Sequence, residues 1–243
     1  IGINNDELIK LNSLTVEEHF EKVFLGWKDS KGKLRESIVS MITDKDSNCP
    51  IVVALDSLAL LSTKHEQEVL FEKPDMIKAK QIRAGLRMCS KIMRNANILH
   101  IISNHVIAKI GVMYGSKKTT PGGSGVPFQA SVRLDLSLGS KLKDDNDNVF
   151  GVESEVRVVK NKVSAPYKKC LVNIQFDKGI VPESGLLDSL VSNEIIQEDE
   201  EKKGFFVYNN DSFRKGKFNE FLVAHPEILK SGLKPIPNPF TIP

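Results

Sequence analysis

Apolar residues recur at helical spacing near the start of the chain, from Leu14 to Phe24. An apolar residue at every third or fourth position is typical of an amphipathic helix. The polar, glycine-containing stretch 26–33 predicts that this helix ends there, and the stretch 34–42 predicts another helix. We therefore expect residues 1–50 to form a helical and loop region.

Two apolar runs rich in β-branched residues follow, at 51–55 and 98–102. The first run ends on Asp56 and the second on the polar residues 103–105. Runs of this kind are typical of strands that are buried on both faces of a parallel sheet. Because residues 76–95 have helical periodicity, the order strand, helix, strand predicts a right-handed β-α-β unit.

The second half of the chain contains segments that alternate between apolar and polar residues, which indicates strands. These segments are 131–138, 153–160 and 169–176. Further along, the pattern predicts a helix, a short strand and another helix, at 186–191, 205–208 and 214–224. We therefore predict an α/β protein with a core of residues 1–181 and a small C-terminal α/β domain of residues 182–243.

The composition is that of an ordinary globular protein, with 40% hydrophobic residues, 27% charged residues and a net charge of +3. A chain of 243 residues can bury one sizeable core and a smaller second one. Three scattered cysteines are too few for a disulfide framework, which favours reduced thiols inside a cell. No apolar run approaches the ~20 residues that cross a bilayer, so we expect no membrane partner. The chain begins at Ile1 rather than at a methionine, and we expect it to be a fragment.

Acidic residues are absent from the 59 residues between Asp75 and Asp135, where the average composition predicts about seven. The same stretch holds ten basic residues. Five of them, spaced three or four apart, share one face of the predicted helix: Lys80, Arg83, Arg87, Lys91 and Arg94. A basic face without acidic neighbours favours binding to phosphates, and an ordinary solvated helix face is the alternative.

Asp56 and Ser57 directly follow the first predicted buried strand. Ligands of open α/β sheets bind outside the carboxyl ends of the strands. A carboxylate at that position suits a Mg²⁺ ion, held directly or through water. The alternative is that Asp56 caps the helix that follows it.

A segment rich in glycine and lysine follows the second predicted strand. Its glycines let the backbone approach a ligand closely, its lysines can neutralise phosphates, and its apolar residues can stack on bases. The residues with these properties are Lys109, Ile110, Gly111, Met113, Tyr114, Lys117, Lys118, Gly122 and Gly123. The string at 115–119 lacks the spacing of a phosphate-binding P-loop, and no P-loop occurs in the 243 residues.

Four strings resemble bacterial RecA in their order and spacing. They are Lys-Ile-Gly-Val-Met-Tyr-Gly at 109–115, Thr-Thr-x-Gly-Gly at 119–123, Ala-Ser-Val-Arg-Leu-Asp at 130–135 and Val-Val-Lys-Asn-Lys-Val-x-Ala-Pro at 158–166. Weaker similarity extends over residues 2–228. Two features resemble the phage branch of this family instead. These are the pair Asn104-His105, where bacterial RecA has asparagine and glutamine, and the string Pro-Glu-Ser-Gly-Leu-Leu at 182–187.

The resemblance implies a RecA-like P-loop ATPase core, with a mixed, mostly parallel sheet flanked by helices. It also implies a DNA-dependent ATPase that uses ATP and Mg²⁺. Such a protein forms helical filaments on single-stranded DNA and promotes pairing and strand exchange with double-stranded DNA in repair and replication. The implied partners are DNA, further copies of the chain with ATP at the subunit interface, and single-strand-binding or mediator proteins. The implied location is the cytoplasm of a bacterium or a phage-infected bacterium.

The resemblance also implies roles for residues at the nucleotide. Asp56 would be the Walker B carboxylate that acts on Mg²⁺ or its water shell, with Ser57 beside it. Asn104 and His105 would sense the γ-phosphate and pass its presence to the adjacent loop. The residues implied to reach a neighbouring subunit's γ-phosphate are Lys160 and Lys162, and those implied to line the nucleotide site are Pro166 and Phe176, with Phe176 near the adenine.

For DNA, the resemblance implies contacts from the glycine- and lysine-rich segment (about 105–123), from residues 70–77 and from Lys80 and Arg87. Independently of it, Lys160 and Lys162 share strand parity, so they repel each other unless an anion lies between them. The alternative for these lysines is an exposed strand edge, and the alternative for His105 is a structural role at a strand end.

The P-loop and the catalytic glutamate of the family are missing from the 243 residues, so no backbone amides are available to cradle the β- and γ-phosphates. We therefore expect this chain alone not to hydrolyse ATP. Two other functions stay open: another RecA-fold ATPase such as a helicase, and a non-catalytic RecA-like protein that binds DNA.

Overall fold

The computed structural model describes residues 8–46, 48–69, 76–108, 118–181 and 183–228. They form two compact units, one within residues 4–130 and the other from Ser131 onward. Each unit mixes helices and strands, which confirms the predicted α/β class. None of the helices in the described residues is long and apolar enough to cross a membrane.

The first unit begins with helix α1 (Val16–Phe20), which continues as a π-helical turn at Glu21–Leu25. A small antiparallel ribbon of β1 (Trp27–Lys28) and β2 (Leu34–Arg35) follows. The first strand lies in the stretch that was predicted to end the helix. The second lies in the predicted helix 34–42, which is helical only from Ile38. The remaining elements are α2 (Ile38–Thr43), β3 (Ile51–Leu55), α3 (Lys64–Val69), α4 (Met76–Asn95), β4 (Ile98–Ile102), β5 (Ile107–Ala108), β6 (Lys118–Thr119) and α5 (Gly125–Gln129).

Helix α1 packs closely on α4 because Gly85 has no side chain. A Cβ atom at Gly85 would overlap the ring of Phe20. The α1 helix begins at Val16 because the Thr15 hydroxyl accepts a hydrogen bond from the Glu18 N–H, so Leu14 lies outside the helix and is 67% exposed. Helix α4 packs in the core through an apolar stripe formed by Ile82, Leu86, Cys89, Ile92 and Met93.

Strands β3 and β4 pair in parallel, from Ile51 opposite Ile98 to Leu55 opposite Ile102, with α4 between them in the chain. The predicted order of strand, helix and strand is therefore confirmed. The prediction that both faces of these strands are buried is wrong for the described residues, because Val52, Leu99 and Ile101 are 64%, 58% and 50% exposed. The helices of the unit cover only the opposite face, where Val53 packs on the core.

The second unit begins with a four-stranded antiparallel sheet in the order β10-β9-β8-β7. Its strands are β7 (Val132–Lys143), β8 (Val149–Asn161), β9 (Lys169–Gln175) and β10 (Gly179–Ile180). The β7–β8 hairpin extends beyond the predicted strands, up to a turn in which the Asp144 carboxylate accepts backbone N–H groups from Asn146 and Asn148. Backbone pairing continues there because it needs no apolar side chains.

The unit ends in α6 (Leu186–Ser192), β11 (Gln197–Glu198), β12 (Phe205–Tyr208), β13 (Asp211–Arg214) and α7 (Phe218–Ala224). The last helix was predicted from residue 214, but residues 211–214 instead pair with β12, with Phe213 opposite Phe206 and their rings stacked 5.8 Å apart. These elements share a separate apolar core. The predicted domain boundary at 181–182 precedes this core and remains a prediction.

Candidate functional site

Asp56 lies at the carboxyl end of β3, where hydrogen bonds connect the residues that follow β3 to those that follow β4. The Ser103 hydroxyl donates to Asp56 Oδ1 at 2.6 Å, and the Leu58 N–H donates to the Ser103 carbonyl at 3.1 Å. The Asp56–Ser57 peptide bond is cis. The helix-cap alternative for Asp56 is not supported, because Ser57 occupies the cap position of the short 3₁₀ turn that follows.

The chemistry at this strand end fits a hydrated cation. Asp56 is exposed, while Ser57 is only 4% exposed and its hydroxyl has no hydrogen-bond partner within the described residues. The described part of the chain has no cluster of three or more metal-binding side chains. Mg²⁺ keeps several waters and binds through one or two carboxylates together with phosphate oxygens, so this donor set suits it.

Asn104 connects the end of β4 to the glycine-containing segment further along the chain. Its Nδ2 group donates to the Pro121 carbonyl at 2.9 Å, and its Oδ1 atom accepts the His105 N–H at 3.0 Å. Asn104 is half-buried and His105 is exposed. The asparagine therefore ties the polar end of the sheet to the backbone at residue 121, and His105 extends beyond it.

Gly122 and Gly123 pack directly against α4. Both have positive φ angles, +94° and +65°, which glycine adopts without strain. A Cβ atom would lie 3.0 Å from Ile82 Cδ1 at Gly122 and 3.1 Å from Ala79 Cβ at Gly123. The sequence indicated that these glycines give the backbone freedom, whereas in the structure they also allow it to lie close to the helix.

The predicted basic face of α4 is exposed along its whole length at Lys80, Arg83, Arg87, Lys91 and Arg94. Arg83 donates to the Ser124 hydroxyl at 3.1 Å, next to the glycine segment. Among the described residues, none of these five cations forms an ion pair with a carboxylate. Lys78, on another side of the helix, donates instead to the Ala59 carbonyl at 2.8 Å.

Several predicted DNA-contact residues lie outside the described residues. They are Lys109, Gly111, Met113, Tyr114 and Lys117, together with residues 70–75 and the side chain of Lys118. The base of the glycine- and lysine-rich segment is described. There β5 pairs with β6 in an antiparallel ribbon, with Ile107 opposite Thr119.

In the second unit, Lys160 lies opposite Arg133 across the β7–β8 hairpin. Desolvation lowers the pKa of Lys160 below its usual value, and the charges of Lys162 and Arg133 lower this pKa further. The two predicted lysines are therefore neighbours. The sequence did not indicate Arg133 as a functional residue, because its proximity depends on strand register.

Pro166 and Phe176 occupy different ends of the same sheet. Pro166 precedes Tyr167, whose N–H donates to the Val158 carbonyl at 2.8 Å, near Lys160. Phe176 is 64% exposed, and its N–H donates to the Phe150 carbonyl at the other end of β8. The structure therefore brings Pro166 near Lys160 but places Phe176 at the opposite end of the strand.

The fold and its polar strand ends define an α/β protein with a candidate ligand site beyond its parallel strands. Comparison with known proteins gives the family: the profile described as RecA N-terminal domain matches residues 16–181. The chain belongs to the RecA family.

Relatives from several bacteria have similar identity. Protein RecA of Treponema denticola is 34% identical over 222 residues, which are 90% of this chain and 48% of the relative. Protein RecA of Pseudomonas savastanoi pv. phaseolicola is 36% identical over 237 residues, 95% of this chain and 60% of the relative. The chain thus spans about half to three-fifths of the length of these relatives.

Proposed function

We propose that this chain forms part of an ATP-dependent homologous-recombination protein. That protein assembles as a helical filament on single-stranded DNA and promotes pairing and strand exchange in repair and replication. The proposal is carried by the exposed, acid-free basic face of α4, together with the close packing of Gly122 and Gly123 on Ile82 and Ala79 of the same helix. Cations without carboxylate partners, next to the glycine segment, can bind the phosphates of a nucleic-acid strand.

The end of the parallel strands is the proposed nucleotide side of the core. Asp56 and Ser57 would hold Mg²⁺ or its water shell, and the ion would neutralise charge on the phosphates of ATP. The Ser103 hydroxyl orients the Asp56 carboxylate by donating to it. In this proposal, residues 1–181 belong to a P-loop-type ATPase core and residues 182–243 form a small C-terminal domain.

Asn104 is the proposed connection between the nucleotide and the DNA loop. Its hydrogen bond to the Pro121 carbonyl joins the strand end that carries Ser103 to the segment that packs on α4. A change in the hydrogen bonding of Asn104 or His105 would therefore alter the position of the loop base. The glycine- and lysine-rich segment is the proposed second DNA-binding loop, and residues 70–77 are the proposed first one.

Lys160 and Lys162 are proposed to contact the γ-phosphate of ATP bound to a neighbouring copy, near Pro166. Phe176 is proposed to contact the adenine, at a separate end of the sheet.

Partners of the whole protein are single- and double-stranded DNA, further copies of itself, and single-strand-binding or mediator proteins. Because no P-loop occurs in the sequence, we expect this chain alone not to hydrolyse ATP. The pair Asn104-His105 is the basis for placing it near the phage branch.

The proposal is tested by single-stranded DNA binding to this chain at several salt concentrations. Lys80→Gln combined with Arg87→Gln should weaken binding to all sequences alike, because these side chains contact phosphates. Each lost contact on a single strand reduces the slope of log affinity against log salt by about 0.7, so the slope should fall by about 1.4.

A matched control removes two cations that already have carboxylate partners in the same unit. Arg35 pairs with Asp29 at 2.8 Å and Lys64 with Glu21 at 2.9 Å, so Arg35→Gln with Lys64→Gln should leave the slope unchanged. Equal slopes for both double variants would refute the role of the basic face. Failure of the unmodified chain to bind single-stranded DNA would favour another RecA-fold ATPase.

A further inference from the structure

The β7–β8 hairpin has an irregularity next to Lys160. Leu134 lies opposite Val158, but the register shifts at the next position, so that Arg133 lies opposite Lys160. One residue of β8, Val159, is therefore extra in the pairing. Such irregularities redirect side chains in a strand. Because of this shift, Arg133 lies opposite Lys160 and not opposite Val159.

Three cations meet at this end of the hairpin. Cross-strand neighbours on one face lie close together, so Arg133 and Lys160 repel each other. The Lys162 N–H donates to the Ser131 carbonyl at 2.9 Å, which holds Lys162 beside the same end of β7. Desolvation lowers the pKa of the Lys160 ammonium group, and the positive charges of Lys162 and Arg133 lower this pKa further.

Further along the same sheet, two cations share a carboxylate partner. Glu155 accepts a hydrogen bond from Arg157 at 2.7 Å and lies 3.6 Å from Lys169. Among the described residues, Arg133 and Lys162 form no such ion pair with a carboxylate. Arg133 and Lys162 therefore carry positive charge that no carboxylate of the described residues offsets through an ion pair.

We propose that Arg133 is a third phosphate-binding residue, which acts with Lys160 and Lys162 on one anionic group. The inference rests on the proposed function, in which the two lysines contact a nucleotide. A guanidinium group binds phosphate through two parallel N–H groups, which adds orientation that a lysine ammonium does not give. The ligand is the terminal phosphate of a nucleoside triphosphate, since its multiple charge matches three cations better than the single charge of a DNA phosphodiester.

Inorganic tripolyphosphate is the probe, and thermal unfolding of the full 243-residue chain at low ionic strength is the measurement. We expect tripolyphosphate to raise the unfolding midpoint of the unmodified chain. Arg133→Gln should reduce this rise by at least half. Without tripolyphosphate, the same variant should be as stable as the unmodified chain or more stable, because a repulsive contact is removed.

Arg157→Gln is the matched control, since it removes one positive charge from the same hairpin. It should lower the midpoint without tripolyphosphate, through loss of the contact with Glu155, and leave the ligand-induced rise unchanged. The inference is overturned if tripolyphosphate has no effect on the unmodified chain, or if both variants reduce the rise equally.

Two further measurements distinguish the phosphates of a nucleotide from those of DNA as the ligand of these cations. ATP should act like tripolyphosphate, whereas binding of a thymidine oligonucleotide should be unaffected by Arg133→Gln. An effect on the oligonucleotide alone would contradict the triphosphate assignment. A chain that binds DNA through α4 but ignores tripolyphosphate would refute only the role of Arg133. A chain with the expected tripolyphosphate response but no DNA binding would refute only the proposed function.

Discussion

At the scale of single residues, two histidines form an unusual contact inside the first unit. His19 of α1 and His100 of β4 face each other with their Nε2 atoms 3.3 Å apart, and the ring of Phe24 lies 5.2 Å from that of His100. Burial lowers the pKa of each histidine to about 4, and the charge of His19 further lowers that of His100. One imidazole must donate and the other accept, so at least one of the two rings must be neutral and the contact is lost when both are protonated.

This pair predicts that acid destabilises the first unit. In the unfolded chain each histidine binds a proton near pH 6.5, whereas in the folded unit it does so only near pH 4. The stabilisation is therefore complete above pH 6.5 and is lost progressively as the pH falls toward 4. Each ring contributes up to about 3 kcal/mol, since one pKa unit corresponds to about 1.4 kcal/mol.

Urea unfolding at pH 7, 6, 5 and 4 measures this dependence. His100→Leu should flatten it over that range, because one of the two titrating rings is removed. His65→Leu is a suitable control, since this histidine belongs to the exposed face of α3. An unchanged pH profile in the His100 variant would contradict the prediction.

The sequence could place Asp56 and Asn104, because each follows a recognisable apolar run. It could not predict the hydrogen bond from the Ser103 hydroxyl to Asp56, since this bond joins residues 47 positions apart. The position of Arg133 opposite Lys160 could not be predicted from the sequence either, because it depends on a one-residue register shift in the hairpin. Contacts set by tertiary pairing leave no local pattern in the chain.

At the scale of elements, the contact between α1 and α4 depends on a single glycine. Gly85→Ala should destabilise the first unit, although alanine favours the helix by about 1 kcal/mol. The added methyl group would overlap the Phe20 ring, and overpacking of this kind costs about 1–3 kcal/mol. Chemical denaturation monitored by far-ultraviolet circular dichroism would detect the loss.

Gly216→Ala provides the comparison, because a Cβ atom there meets nothing within 4 Å. It should leave stability unchanged or raise it slightly. Phe20→Leu combined with Gly85→Ala should cost less than the sum of the two single changes, because the smaller side chain leaves room for the methyl group. Strict additivity would show that the close approach of the two helices is not limiting.

The elements that the sequence predicted best have apolar patterns of their own. The predicted helix 76–95 and strand 98–102 coincide with α4 and β4. The ribbon of β1 and β2 was missed because its short strands show no alternation. The strand at 211–214 was not predicted, and residue 214 was placed in a helix, because β13 is defined mainly by its pairing with β12.

At the scale of the whole molecule, two sheet surfaces expose rows of apolar side chains. One is the uncovered face of β3 and β4, and the other is β7, where Leu134, Leu136 and Leu138 are 54%, 61% and 74% exposed. Contiguous apolar patches of this kind mark association surfaces, whereas isolated exposed apolar residues do not. We therefore expect this chain to self-associate when it is purified alone.

Val52→Lys combined with Ile101→Lys should reduce this association, as measured by sedimentation velocity, because both residues belong to the same exposed face. Val223 is 83% exposed but does not belong to either row, so Val223→Lys should leave association unchanged. If all variants sediment like the unmodified chain, the exposed face of β3 and β4 does not drive association.

The small ribbon of β1 and β2 carries the only tryptophan of the chain, Trp27, which lies opposite Arg35 and is half-buried. The second unit has no tryptophan but has a stack of aromatic rings, with Phe213 and Phe221 only 4.0 Å apart. Indole fluorescence therefore reports on the first unit alone, while near-ultraviolet dichroism of the phenylalanines reports on both units, since Phe20 and Phe24 lie in the first. A melting midpoint that differs between the two signals would reveal that the units unfold separately.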